Sequence, residues 1–101
     1  MIPEISCSQL DDPNVTPEGF KWLDVREPHE HDWKHIPDST FIPLNELPTR
    51  YTELDPTTPW IVYCRSGQRS AYATAFLQSK GFLQVFNLKE GILGWLAKET
   101  T

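Results

Sequence analysis

Five consecutive apolar residues, Trp60-Ile61-Val62-Tyr63-Cys64, stand between Pro59 and Arg65. The run is too short for an ordinary helix, and it is apolar at every position rather than at every second one. It predicts a strand covered on both faces, as strands are in parallel sheets with helices on either side. Other apolar runs fit that frame: residues 20–25, 40–42 and 84–86 read as strands, with a weaker fifth around Ile5.

Helical patterns fill the gaps. Leu44, Leu47, Tyr51 and Leu54 recur at helical spacing, with Asn45 as a cap and Pro48 tolerable in the first turn. Residues 68–80 carry Ala71, Tyr72, Ala75 and Phe76 on overlapping faces and stop at Gly81. Residues 90–98 form a last short helix with Trp95, and 27–34 a shorter one opened by Pro28. The expected fold is therefore α/β: a mostly parallel central sheet of about five strands, helices on both faces and right-handed crossovers. At 101 residues, with 39% apolar side chains, the chain 1–101 is expected to be a single domain.

Charge and cysteine content narrow the function. Fourteen acidic residues against nine basic leave a net charge of −5, the wrong sign for a nucleic-acid or anionic-membrane partner. Five apolar residues in a row fall far short of a bilayer span. The start Met1-Ile2-Pro3-Glu4 has neither a basic nor an apolar leader region, so no secretion signal is expected. Two cysteines are too few for a disulfide scaffold, which points to a reduced, cytoplasmic chain. Cys7 sits in the bland segment Ser6-Cys7-Ser8; Cys64 ends the buried strand and is the informative thiol.

In open parallel sheets the ligand crevice lies beyond the carboxyl ends of the strands, which places Cys64 and Asp24 on one sheet edge. Cys64-Arg65-Ser66-Gly67-Gln68-Arg69-Ser70 then leads into a helix. A short loop with a permissive glycine can turn several amides inward, and the helix adds its positive end. A thiol at the rim of such a nest has a stabilised thiolate. Arg65 and Arg69 suit a dianionic oxyanion. A strand-end cysteine is by habit more often an inert hydrophobe, but that habit gives no reason for two arginines, two serines and a glycine to follow at once.

This loop resembles the active-site loop of the rhodanese (sulfurtransferase) family in its small, single-domain form. Leu23-Asp24-Val25-Arg26-Glu27 is similar to that family's Leu-Asp-Val-Arg-Glu segment, and His35-Ile36-Pro37 to its His-Ile-Pro turn. Phe41-Ile42-Pro43-Leu44 and Leu88-Lys89-Glu90-Gly91-Ile92-Leu93-Gly94-Trp95 match two further family segments in order and spacing. Lys34, Asp38-Ser39 and Glu90 depart from it, standing where Gly, Gly-Ala and Gly are common.

The resemblance implies that Cys64 attacks a sulfane donor such as thiosulfate, becomes a persulfide and passes the outer sulfur to cyanide or a thiol. Amides from Arg65 through Ser66, Gly67 and Gln68 to Arg69 would cradle the terminal sulfur. Arg65 and Arg69 would orient the donor, and no metal or organic cofactor is needed. Asp24 is first a structural ion-pair residue; its functional version, with Ser70, is support of the loop. A relay module passing persulfide sulfur between proteins is the second reading. A cysteine phosphatase or arsenate reductase is the third: those enzymes place five residues between Cys and Arg, whereas four separate Cys64 from Arg69. His31 and His35 would be i,i+4 neighbours in a helix, but a metal site wants further convergent ligands. Of the four tryptophans Trp33 is expected to be exposed.

Overall fold

The computed structural model describes residues 2–100. Five strands, β1 (Glu4–Ile5), β2 (Lys21–Asp24), β3 (Thr40–Phe41), β4 (Trp60–Tyr63) and β5 (Val85–Leu88), form one sheet in the order β1-β5-β4-β2-β3. Every pairing is parallel. The α-helices among the described residues are α1 (Pro28–Trp33), α2 (Leu47–Arg50), α3 (Gln68–Ser79) and α4 (Gly91–Glu99), with 3-10 turns at Cys7–Gln9, Leu44–Glu46 and Tyr51–Glu53. The α/β expectation holds, and the Trp60 strand, expected to be covered on both faces, lies in the middle of the sheet between β5 and β2.

That strand is buried at all four positions, and alternation along it divides the core. Trp60, Val62 and Cys64 join Leu23, Val25, Ala73, Leu77 and Val85 on the α3 face. Ile61 and Tyr63 join Ile5, Cys7, Leu88 and Ile92 on the α4 face. Successive side chains of a strand point to opposite faces, so both clusters grow from one sequence run.

Three local expectations are corrected. The stretch from Leu44 to Glu53 is a 3-10 turn, a single α turn and another 3-10 turn rather than one helix, and Asn45 caps none of them. In α3 the buried stripe is Ser70, Ala73, Thr74 and Leu77, while Tyr72 is exposed. The polar members of that stripe hide because their hydroxyls are satisfied: Thr74 Oγ1 donates to the Ser70 carbonyl at 2.8 Å, and Ser70 reaches Asn87. The last strand begins at Val85 and runs on through Asn87 and Leu88, because Asn87 also finds partners in the interior. Trp33 is exposed as expected.

Candidate active site

Cys64 follows directly on β4, and Gly67, with φ of +102°, turns the chain into α3. Only glycine fits there. A Cβ would meet the carbonyl of Lys89, and the left-handed φ is itself costly for other residues. Gly91, with φ of +67°, packs equally close against the Arg65 carbonyl. From the first turn of α4, the Ile92 amide donates to the Cys64 carbonyl at 2.9 Å and the Leu93 amide to that of Arg65 at 3.3 Å. With those carbonyls held on the α4 side, the amides that follow are free to point at the sulfur.

They do. The Gly67 amide donates to Cys64 Sγ at 3.1 Å and the Ser70 hydroxyl lies 3.3 Å from it. Burial pushes the Cys64 thiol up, but the Ser70 hydroxyl and the amides of Ser70, Gly67 and Ser66 outweigh it and bring the thiol below its ordinary value. The residue is 1% exposed, so the sulfur lies beneath its loop. Of the segment from Arg65 to Arg69, it is the Gly67 amide that reaches Sγ within hydrogen-bond distance; the Ser66 and Ser70 amides act on the thiol only through their proximity.

Ser70 takes part through a residue that sequence reading missed. Its hydroxyl reaches Asn87 Oδ1, and Asn87 Nδ2 donates to the Gly67 carbonyl and to Glu4 Oε2, both at 3.1 Å. One hydroxyl proton faces two acceptors. A neutral thiol leaves it to Asn87, and a thiolate competes for it. An asparagine inside an apolar strand was the available signal, since a buried amide is costly unless every polar atom is used.

The two arginines differ. Arg65 is exposed, and its side chain has no hydrogen bond or ion pair among the described residues. Arg69 forms a forked pair with Glu30 of α1, Nη1 to Oε1 at 2.7 Å and Nη2 to Oε2 at 3.0 Å. This pairing holds the Glu30 carboxyl down at about 2. Arg69 also borders a cleft of about 350 Å³ lined by Val25, Glu27, Leu44 and Asn45.

Asp24 is a correction. It shares the sheet edge with Cys64 but receives no hydrogen bond from the cysteine loop. Its register partner is Tyr63, one residue short of Cys64, so it points to the opposite face. There it accepts from the Arg26 amide, Nε and Nη2 at 2.9, 2.9 and 2.8 Å, from His31 Nδ1 at 2.9 Å and from the Tyr63 hydroxyl at 3.2 Å. Burial raises the Asp24 carboxyl and the Arg26 and His31 donors reverse it, leaving the group below the usual carboxylate range. The Tyr63 hydroxyl also receives the Ile36 amide at 3.1 Å, which anchors the His35-Ile36-Pro37 turn. The structural ion-pair reading of Asp24 is therefore the one its contacts match.

The positions that depart from the family pattern are accommodated. Asp38 takes a left-handed φ of +66° in place of glycine, a conformation that aspartate tolerates better than most residues. Lys34 is extended and its carbonyl accepts Arg26 Nη2 at 2.6 Å. Glu90 accepts the Cys7 amide at 2.9 Å. His31 and His35 stack with ring centres 3.9 Å apart, their Nδ1 atoms engaged by Asp24 and the His31 carbonyl. Among the described residues no three metal-ligating side chains converge.

Residues 8–98 match the family model of the rhodanese-like domain. The chain belongs to the rhodanese-like family. It is 35% identical over 95 residues to a sulfurtransferase of Allochromatium vinosum, covering 94% of this chain and 89% of that one. It is 32% identical over 78 residues to the thiosulfate sulfurtransferase GlpE of Pseudomonas syringae, covering 77% and 74%. Some curated relatives are longer, the chain spanning 52% and 60% of two from Bacillus subtilis. A crystal structure of a rhodanese-related protein from Thermoplasma volcanium superimposes with a TM-score of 0.84 at 31% identity, over 95% of this chain and 92% of that one. The five-stranded parallel sheet flanked by helices is the rhodanese-like topology, and no helix among the described residues is long and apolar enough to cross a membrane.

Proposed function

We propose that the protein is a sulfurtransferase that carries sulfane sulfur on Cys64. The observation behind this is the convergence of the Gly67 amide and the Ser70 hydroxyl on one sulfur, which together with the nearby Ser66 and Ser70 amides favours a thiolate in a buried setting. The thiolate attacks the outer sulfur of thiosulfate or of a persulfide. An S–S bond to Cys64 forms, the donor's own S–S bond breaks, and its electron pair leaves with sulfite or a thiolate. The Cys64 persulfide bears negative charge on its terminal sulfur, and donors already in place stabilise such charge without reorganisation. Cyanide or a thiol then takes that sulfur and returns the Cys64 thiolate. Arg65, exposed at the loop, steers an anionic donor inward, and the side chains of the loop supply the chemistry without a metal or organic cofactor. A reducing compartment, the cytoplasm, suits a thiol that must stay free between turnovers; both cysteines are free.

The test is intact-protein mass spectrometry after exposure to thiosulfate and to a small persulfide. The native protein gains the mass of one sulfur atom and loses it to cyanide; Cys64→Ser gains none. A native protein that acquires no sulfur from any sulfane donor would overturn the assignment.

A second reading is a relay between protein partners, and it is favoured by the engagement of Arg69 with Glu30, which weakens the grip on a small anion. It predicts slow turnover with thiosulfate, rapid exchange with a protein persulfide, and an Arg65→Ala effect larger on the small donor than on the protein.

A further inference from the structure

The loop has two arginines, yet the folded chain leaves their charges unequal. Arg69 spends both terminal nitrogens on Glu30, a residue 39 positions away that α1 carries to the loop. The pair is partly shielded, with side chains 35% and 18% exposed. The carboxylate is fixed from a second side by the Glu27 amide, which donates to Oε1 at 3.0 Å. Glu30 therefore stays on Arg69 as part of a capped helix end. It is held ionised far below neutral pH. Glu27 itself lines the cleft that Arg69 borders. Arg65, Arg69, Glu27 and Glu30 sum to zero formal charge, and the Cys64 thiolate makes the site negative.

We propose that Glu30 is a specificity-determining residue: by occupying the fork of Arg69 it biases the site toward sulfane donors of single negative charge over the thiosulfate dianion. The inference rests on the sulfurtransferase reading and narrows its donor class to alkyl persulfides and organic thiosulfonates. A dianion must approach a thiolate with Arg69 neutralised by Glu30 and Arg65 offset by Glu27, or must displace Glu30 from a forked pair. A monoanion meets roughly half of that repulsion, since Coulomb energy scales with the incoming charge.

Thiosulfate and benzenethiosulfonate separate charge from chemistry. In both, the Cys64 thiolate attacks the outer sulfur, the new S–S bond forms, and the bond to the oxidised sulfur breaks. The electron pair leaves on sulfite in one case and on benzenesulfinate in the other. The Cys64 persulfide is the same product.

The experiment measures kcat/KM for each donor, with cyanide as acceptor at fixed ionic strength, in native protein, Glu30→Gln, Glu30→Asp and the remote exposed control Glu18→Gln. Glu30→Gln is expected to raise the thiosulfate value about 5–10-fold and the benzenethiosulfonate value only about 2–3-fold, since half the charge carries half the energy. Glu30→Asp keeps the charge and stays within about 2-fold of the native ratio, and Glu18→Gln leaves that ratio unchanged. On native protein, which needs no variant to fold, added KCl raises the thiosulfate value more steeply than the benzenethiosulfonate value. The inference is overturned if the donor ratio in Glu30→Gln stays native or moves the other way, if Glu18→Gln shifts it equally, or if the salt slopes are reversed. If neither donor leaves sulfur on native Cys64 by mass, the sulfurtransferase reading itself fails, an outcome distinct from a flat ratio on a protein that does load.

Discussion

Cys64 and Cys7 are both buried, at 1% and 6% exposure, and each belongs to an apolar cluster on its own face of the sheet. Their thiols move in opposite directions. Burial and the neighbouring Glu90 carboxylate push Cys7 up to about 11, whereas at Cys64 inward-pointing amides and a hydroxyl overcome burial. Burial is common to both, so it does not decide reactivity. What decides it is whether the surrounding dipoles present hydrogens or negative oxygens to the sulfur. The sheet between the two clusters also keeps them from meeting as a redox pair.

The contrast can be broken most directly by removing each sulfur. Cys64→Ser is expected to abolish sulfur loading and to reduce transfer to background, while Cys7→Ser loads as the native protein does, both read by intact mass. A next-largest effect is expected from Gly67→Ala. It forces a side chain against the Lys89 carbonyl at a left-handed φ, so thermal or denaturant unfolding should show a loss of about 2–4 kcal/mol, with loading reduced in the fraction that folds.

Ser70→Ala sharpens the contrast without touching either sulfur. A hydrogen bond to a charged group is worth about 1.5–3 kcal/mol, and 1.36 kcal/mol is one pH unit. The midpoint of the iodoacetamide rate against pH should therefore rise by about 1–2 units at Cys64. The native midpoint should lie below the ordinary thiol value of about 8.5. Cys7 should stay unreactive at neutral pH in both proteins, since its thiol titrates at about 11. An unchanged Cys64 midpoint in Ser70→Ala would mean that the amides alone hold the thiolate.

The smallest effect concerns the rim of the Cys64 region. The Glu30 carboxyl is lowered to about 2 in the folded protein from an ordinary 4.5. A depressed carboxyl contributes stability above its unfolded value and loses it as pH falls. The native protein should therefore shed this part of its stability between about pH 4.5 and 2, and Glu30→Gln should show a shallower acid slope in chemical denaturation over that window. Cys7 has no part in this range.

Much of the architecture was legible in residue order. An apolar run bounded by Pro59 and Arg65 implied a strand covered on both faces, and the residues after Cys64 implied a nest, because both depend on short-range patterns. The side assignment of Asp24 was not legible. Its placement opposite Cys64 depends on the register of β2 against β4, and a shift by one residue would have exchanged the faces. The buried stripe of α3 was misjudged for a related reason: Ser70 and Thr74 look like surface residues until the sheet supplies Asn87 beneath them.

Local order by itself determined the strand, the thiol at its end and the glycine that turns the chain toward α3, because strand length, backbone freedom and helix spacing act over a few residues. Only the folded molecule decided which groups reach that thiol from afar. Asn87 arrives on the next strand, the α4 amides lock the loop carbonyls, and Glu30 arrives on α1 to occupy Arg69. Those are contacts between segments distant in the chain, and their geometry is set by sheet register and packing rather than by neighbouring residues.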